Sequence, residues 1–310
     1  MSISVRDQFG KHLALIAKED FRVLALDGDL GNSTHLDSIE KETVDSFLQM
    51  GIAEQNMVGV AAGLASVGFQ PWVCSFATFL TKRALDQIVV SVAQTNFDVK
   101  LVGSYSGLLT SNTGKTHHSL DDIAIMTTIP NMTVIAPADP GETVAAMKAM
   151  HQTAGPMYLR LTRDETIPYF LPDVEFEIGK GRTLTEGTDV LMVTTGSTTY
   201  RVSEVIKQME GVSIAHLHFP TLKPFDKELL LEGARKVGLV VTVEEHYIRG
   251  GLGSIVSEIL SEELPKKVYR IGVPDRFLGC GTDEELLEAS GLSVEEIRNS
   301  LSCALCNKQF

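Results

Sequence analysis

Short, continuous apolar runs punctuate the first half of the chain: FRVLAL (21–26), PWVCSF (71–76), VKLVGSY (99–105), MTVIAP (132–137) and MYLRLT (157–162). Between them lie stretches with helical spacing, at 5–18, 53–66, 82–94, 120–127 and 141–153. Apolar runs without polar alternation are strands buried on both faces, and helices between them predict a parallel sheet covered on either side. The stretch DETIPYFLPDVEFEIGKGRTLTEGTD (164–189) breaks this rhythm with Pro, Gly and acids and no period, as an inter-domain connection does. A second alternating unit follows: VLMVTTGS, VSIAHLHFP, KVGLVVTVEEH, a helix led by GGLG, and KKVYRIGV. Two last helices are expected at 282–289 and 293–304, with Thr282 and Ser293 as N-caps. The expected fold is α/β: two parallel-sheet, three-layer domains at 1–165 and 185–310, joined by a linker at 166–184.

Composition narrows the partners. The chain has 310 residues, 44% hydrophobic and 22% charged, enough for two cored domains. A formal net charge of −13 argues against a nucleic-acid polyanion, though a few local arginines can still hold a small phosphorylated ligand. The segment 51–73 comes nearest to a membrane span, but its Gly, Ala, Gln and Glu make it a packed soluble helix. The opening MSISVRDQFG lacks the basic, apolar, small-residue order of a signal peptide, so the cytoplasm is expected. Cys303 and Cys306 form a lone CxxC with no second pair, and with Cys74 and Cys280 they are expected to be ordinary reduced thiols.

Three motifs imitate known chemistry. SNTGKT (111–116) ends like a phosphate-cradling loop, but Leu109 stands where that loop needs its first glycine. The run from Arg249 to Ser254 carries half of a dinucleotide fingerprint and lacks the third glycine and the acidic partner, so close helix packing explains it. His117-His118 with Asp121-Asp122 has no metal-binding spacing, and no metal ligand is expected in this chain.

The stretch GIAEQNMVGVAAGLASVGF (51–69) poses a sharper question, because its small apolar residues should be almost wholly buried, yet it opens on a carboxylate. Glu54 meets no basic residue after it until Lys82, so it should lack a charged side-chain partner. Here the chain resembles the transketolase family of thiamine diphosphate enzymes, in the form whose C-terminal half is separately encoded. GDLGNS, GIAEQN, FATFLTKRALDQ, TGKTHHSLDDIA and IPNMTVIAPADP stand in family order and spacing, and the likeness runs essentially end to end.

The resemblance implies a role for each matching residue. Glu54 is expected to share a proton with N1′ of the cofactor's aminopyrimidine; a desolvated site favours the protonated acid that can donate there. Phe76 and Phe79 are expected to stack on that ring, and Asp29 to lie near the cofactor. Arg6, Ser33 and Arg163 are expected to clamp the terminal phosphate of the sugar. His117 is expected to face the sugar hydroxyls and the reacting carbonyl. The chain departs from the family at Asn112-Thr113, where an acidic pair is usual, and at Tyr105, where a phosphate-side histidine is usual. Thr113 as a substrate contact removes a strong acceptor, pointing to a branched, deoxy or otherwise modified ketose phosphate; apulose 4-phosphate and a sulfonated ketose are both candidates.

No GDG followed by a downstream asparagine occurs, so the diphosphate and Mg²⁺ are expected to be held mainly by an N-terminal partner subunit, in an α₂β₂ assembly. The implied reaction is transfer of a two-carbon ketol unit from a ketose phosphate to an aldose phosphate such as glyceraldehyde 3-phosphate. Subunits like 1-deoxyxylulose-5-phosphate synthase or the β subunit of a 2-oxo-acid dehydrogenase E1 are rival readings within the enzymes. A non-catalytic scaffold is the rival of another class.

Overall fold

The computed structural model describes residues 4–110, 112–171 and 175–306. The first half builds β1 (Val23–Asp27), β2 (Phe47–Gln49), β3 (Gln70–Phe76), β4 (Lys100–Ser106), β5 (Thr133–Ile135) and β6 (Met157–Thr162). The second builds β7 (Arg182–Thr185), β8 (Val190–Thr194), β9 (Ile214–His218), β10 (Thr221–Lys223), β11 (Val240–Tyr247) and β12 (Val268–Val273). They form a seven-stranded sheet in the order β10-β5-β6-β4-β3-β1-β2 and a five-stranded sheet in the order β12-β11-β8-β9-β7. Among the described residues only β10 and β7 run antiparallel to their neighbours. Both sheets carry helices on both faces, as the apolar runs required.

Strand residues sort by period two between those faces. Val23, Ala25, Trp72, Cys74, Leu159 and Leu161 pack toward the helices Val5–Glu19 and Pro140–Gln152. Leu24, Leu26, Val73, Leu101 and Tyr158 point the other way, into a core shared with the helix Glu54–Ser66. That core continues without a break into Leu191, Val193, Leu217 and Phe219 of the second sheet. A third cluster fills the far face of the second sheet, under the helices Thr198–Gln208 and Val294–Cys306.

Some elements differ from the sequence expectation, each for a local reason. β2 has three residues, too few to show a period. The helix expected at 82–94 instead starts at Ala77, immediately after β3, and is interrupted at Ala84 before a π-helical turn at Ile88–Ala93. Aromatic residues in FATF mimic strand continuation, which hid that early start. β7 lies inside the aperiodic stretch and pairs with β9, and β10 leaves the second unit to pair with β5 of the first. Thr282 caps Asp283–Ser290 through a capping box, and Ser293 Oγ accepts the N–H of Glu296 at the head of the last helix.

Candidate active site

Glu54, Phe76, Phe79, Tyr105, His117, Arg163 and the turn 28–33 lie at or after the carboxyl ends of parallel strands of the first sheet. The strand order reverses between β1 and β3, and parallel sheets leave a ligand crevice at such a reversal. Asp27 at the end of β1 shapes the turn below it. Its buried carboxylate accepts the N–H groups of Leu30 and Gly31 and the amide of Gln49 at 2.8 Å. Burial pushes its pKa above the usual value, with those hydrogen bonds opposing.

Glu54 opens its helix after a left-handed turn at Gly51 (φ 69°), a conformation that suits glycine. Its carboxylate is 4% exposed and sits in an open depression lined by Ile52–Asn56 and Arg83. Here the structure corrects the sequence expectation of no charged partner. Arg83 Nη1 donates to Glu54 Oε1 at 3.0 Å, from a position half exposed to water. The same guanidinium lies 4.1 Å above the Phe79 ring. A carboxylate this buried is costly without a donor, and Arg83, from the next helix, is the cation that reaches it. The expectation that the 51–69 stretch is almost wholly buried also fails: Gln55, Asn56, Gly59, Gly63, Ser66 and Val67 are exposed.

The aromatic side chains form a wall. Phe76 stacks on Tyr105 at 4.2 Å and on Phe79 at 5.8 Å, and the His117 ring meets Phe79 edge-on at 5.2 Å. His117 is half-buried, and Thr116 Oγ1 lies 2.9 Å from its Nδ1. Tyr105 adopts φ 53°, an uncommon backbone for a bulky residue, and this turns its ring under the arginines.

Arg6 and Arg163 converge on Tyr105, with guanidinium carbons 5.2 and 5.4 Å from the ring centre. Arg6, largely buried, donates to the Ser33 carbonyl at 2.9 Å and the Tyr105 hydroxyl at 3.1 Å, and pairs with Glu165. The Nε atoms of both arginines are buried with no partner among the described residues. Ser33 joins through its backbone; its hydroxyl bonds Asn32. Asp29 is exposed in a left-handed turn (φ 66°). Thr113 is exposed, and its hydroxyl turns back to the Thr110 carbonyl at 2.7 Å.

The imitating motifs resolve into packing. Gly114–Thr116 is one 3₁₀ turn, with Gly114 at a left-handed φ of 73° and Cys280 packed against it; Ser111 lies outside the described residues. The head of the helix Leu252–Glu263 already donates two N–H groups to Glu244. Among the described residues no group of three or more His, Cys, Asp or Glu could hold a metal. His118 is buried and Asp122 is paired with Arg160. No described helix is long and apolar enough to cross a membrane.

Residues that sequence reasoning did not assign to the site include Arg83 and Glu165. Both sit beside its motifs, two residues past the second threonine of FATFLTK and two past the arginine of LRLTR, but their contacts span the fold.

A nitrogen cation that is planar, donates to Glu54 and covers Phe79 has the shape and donor chemistry of an aminopyrimidine, so these residues fit such a group. The family models for the transketolase pyrimidine-binding domain and the transketolase C-terminal domain match residues 1–167 and 179–297. A 6-deoxy-6-sulfo-D-fructose transketolase subunit from Clostridium sp. (strain MSTE9) is 38% identical, over 94% of this chain and 92% of that protein. One of the subunits of the apulose-4-phosphate transketolase of Phocaeicola vulgatus is 36% identical, over 95% of each chain. A solved split-gene transketolase, described as an inactive β4 tetramer, superposes with a TM-score of 0.88 at 38% identity over all of both chains.

Proposed function

The chain belongs to the transketolase family, and on that premise we propose that it supplies one face of a thiamine diphosphate site completed by a second polypeptide. It is a transketolase subunit, and the reaction is transfer of a two-carbon ketol unit between sugar derivatives. The observation that carries the site assignment is Glu54, buried at the mouth of an open depression with only a half-exposed arginine on it.

Bound thiamine diphosphate supplies the carbon nucleophile and electron sink that ketol transfer needs. Glu54 holds a proton at N1′ of the aminopyrimidine, on the side of the carboxylate that Arg83 fills here. Phe79, backed by Phe76, offers the ring face and keeps water from it. His117, edge-on to Phe79, exchanges a proton with the sugar oxygen at the reacting carbonyl. Arg6 and Arg163 hold the anionic tail of the sugar with the Tyr105 hydroxyl beside them, and Ser33 orients Arg6 through its carbonyl. Asp29 and Thr113 border the entrance, Asp29 on the cofactor side and Thr113 on the sugar side.

Mg²⁺ and the diphosphate belong to an N-terminal partner subunit, because this chain carries no GDG motif. An α₂β₂ assembly gives the exposed face of the 54–66 helix a neighbour: nothing lies near Gly59 or Gly63, and Ile52 and Val67 are over 70% exposed beside them. A cytoplasmic location suits the sugar chemistry. With the acidic contact replaced by Thr113, the donor is a modified ketose, of the kind the two relatives' names describe.

The test is Glu54→Ala in the complex reconstituted with its partner subunit. General acid–base loss predicts a fall of about 10²-fold or more in two-carbon transfer. A complex that keeps its activity is a scaffold around someone else's chemistry, and the site assignment is then wrong.

A further inference from the structure

The anion clamp carries its own carboxylate. Arg6 is mostly occupied: Nη1 bonds Ser33 and Tyr105, Nη2 pairs with Glu165, and the buried Nε has no partner among the described residues. Arg163 lies on the same ring with its buried Nε also unpartnered. Their only neutral companion on the ring is the Tyr105 hydroxyl, which can still donate its proton. Glu165 is 59% exposed, so it is held at the mouth of the clamp and not built into the core. A second carboxylate, Asp283, faces Arg163, and burial raises its pKa while Arg163 opposes that rise. The neighbouring Asp164 is paired with Arg201 at 2.5 Å.

The carboxylate of Glu165 offsets part of the charge of the two guanidiniums, and Asp283 beside Arg163 offsets more to the extent that it is ionised. We propose that Glu165 is a specificity-determining residue that tunes this clamp for a singly charged tail, a sulfonate, against a doubly charged phosphate. The inference rests on the reading of Arg6 and Arg163 as the holders of the donor's tail. Glu165 repels a dianion more than a monoanion of the same shape, while the tetrahedral oxygens of both accept from the arginines equally well. Its partial exposure screens the effect to a modest factor.

The test uses the reconstituted complex with two donors of one carbon skeleton, 6-deoxy-6-sulfo-D-fructose and D-fructose 6-phosphate. The quantity is the ratio of their kcat/KM values, sulfonate over phosphate, followed across the second ionisation of phosphate near pH 6. A sulfonate keeps one charge throughout, and the ratio cancels pH effects on the enzyme that are common to both donors. In the native complex Glu165 is expected to hold down the gain that the phosphate donor makes on becoming a dianion, so that the ratio falls only weakly from about pH 5.5 to 7.5, through the KM of the phosphate donor. Glu165→Gln is expected to steepen that fall and lower the ratio at pH 7.5 about five- to tenfold. Because Glu165 is mostly exposed, the variant should fold.

An unchanged ratio and slope in Glu165→Gln, with both donors turning over, overturns the role of Glu165 and leaves the transketolase reading standing. Calorimetric titration of the same donors into the complex gives the same ratio without turnover. If both bind and neither is turned over, the two-carbon-transfer reading from these donors fails, and the binding ratio in the variant still decides Glu165.

Discussion

The two sheets reverse their strand order at equivalent places, between β1 and β3 in the first and between β8 and β11 in the second. Such a reversal opens a crevice at the carboxyl ends of the strands. In the first domain the crevice stays open, and its charged groups have displaceable or missing partners: Arg83 is half exposed, and two arginine Nε atoms have none among the described residues. In the second the chain fills the crevice itself. Glu245 accepts the Ser197 hydroxyl at 2.5 Å, the N–H of Leu108 from the other domain at 2.8 Å, and Arg201 at 3.3 Å. Glu244 takes the N–H groups of Leu252 and Gly253, where an anion would otherwise dock on the helix. Topology makes a crevice in both domains, and side chains decide which one receives a ligand.

Four substitutions can break or sharpen this contrast. The largest effect on folding is expected from Glu245→Ala in the sealed crevice. It strips partners from Arg201, Ser197 and Leu108 and should cost about 3–5 kcal/mol in urea unfolding. A loss under about 1 kcal/mol would mean that this network does not hold the crevice shut. Glu54→Ala should do the reverse at the open one. Its hundredfold loss of activity should come with a nearly unchanged unfolding midpoint, since the depression is already open to water.

Glu244→Gln comes next, and its effect depends on pH. Burial pushes the Glu244 carboxyl up to about 7, with the Gly253 and Leu252 amides opposing. The folded chain therefore keeps a proton that the unfolded chain releases, and stability falls as pH rises from about 4.5 to about 7. His216, pushed down to about 3 by burial and by His218, acts with the opposite sign, losing stability on acidification. Subtracting the Glu244→Gln melting curve from the native one isolates the glutamate, and the difference should grow by about 2–3 kcal/mol in favour of the variant toward neutral pH. A flat difference would show that Glu244 is ionised throughout. The smallest effect is expected from Arg83→Ala, about 1–2 kcal/mol, because water in the open depression replaces most of what the half-exposed arginine gives the buried Glu54. A larger loss in the melting experiment would make Arg83 a fixed strut, and the open crevice more like the sealed one.

Sequence pattern carried the α/β alternation because each long strand is buried on both faces, so 157–162 was legible to the residue and 71–76 to within one. Motif spacing carried Glu54, the phenylalanines, His117 and the arginines to one end of one sheet. What spacing could not carry was pairing across the fold. Arg83 reaches Glu54 over 29 positions, Arg6 reaches Tyr105 over 99 and Glu165 over 159, and no periodicity marks such pairs. The sealed second crevice was hidden for the same reason: VTVEEH reads as an ordinary strand until Arg160 and Arg201 arrive beside it. Burial alone would raise the Glu245 carboxyl, yet those arginines outweigh it and hold it below its usual range.

Strand β10 bears on how such proteins can be recombined. Its three residues complete the border of a sheet whose other strands end some sixty positions earlier, and Lys223 ties off the carbonyls of Thr127 and Ile129 on the helix beside it. A chimera joined at the connection between the halves would thus import a foreign last strand into the native sheet. Crossovers that keep 221–223 with their own first half should give soluble hybrids more readily than crossovers at the apparent seam, where a foreign strand that pairs poorly leaves the β5 edge open to self-association.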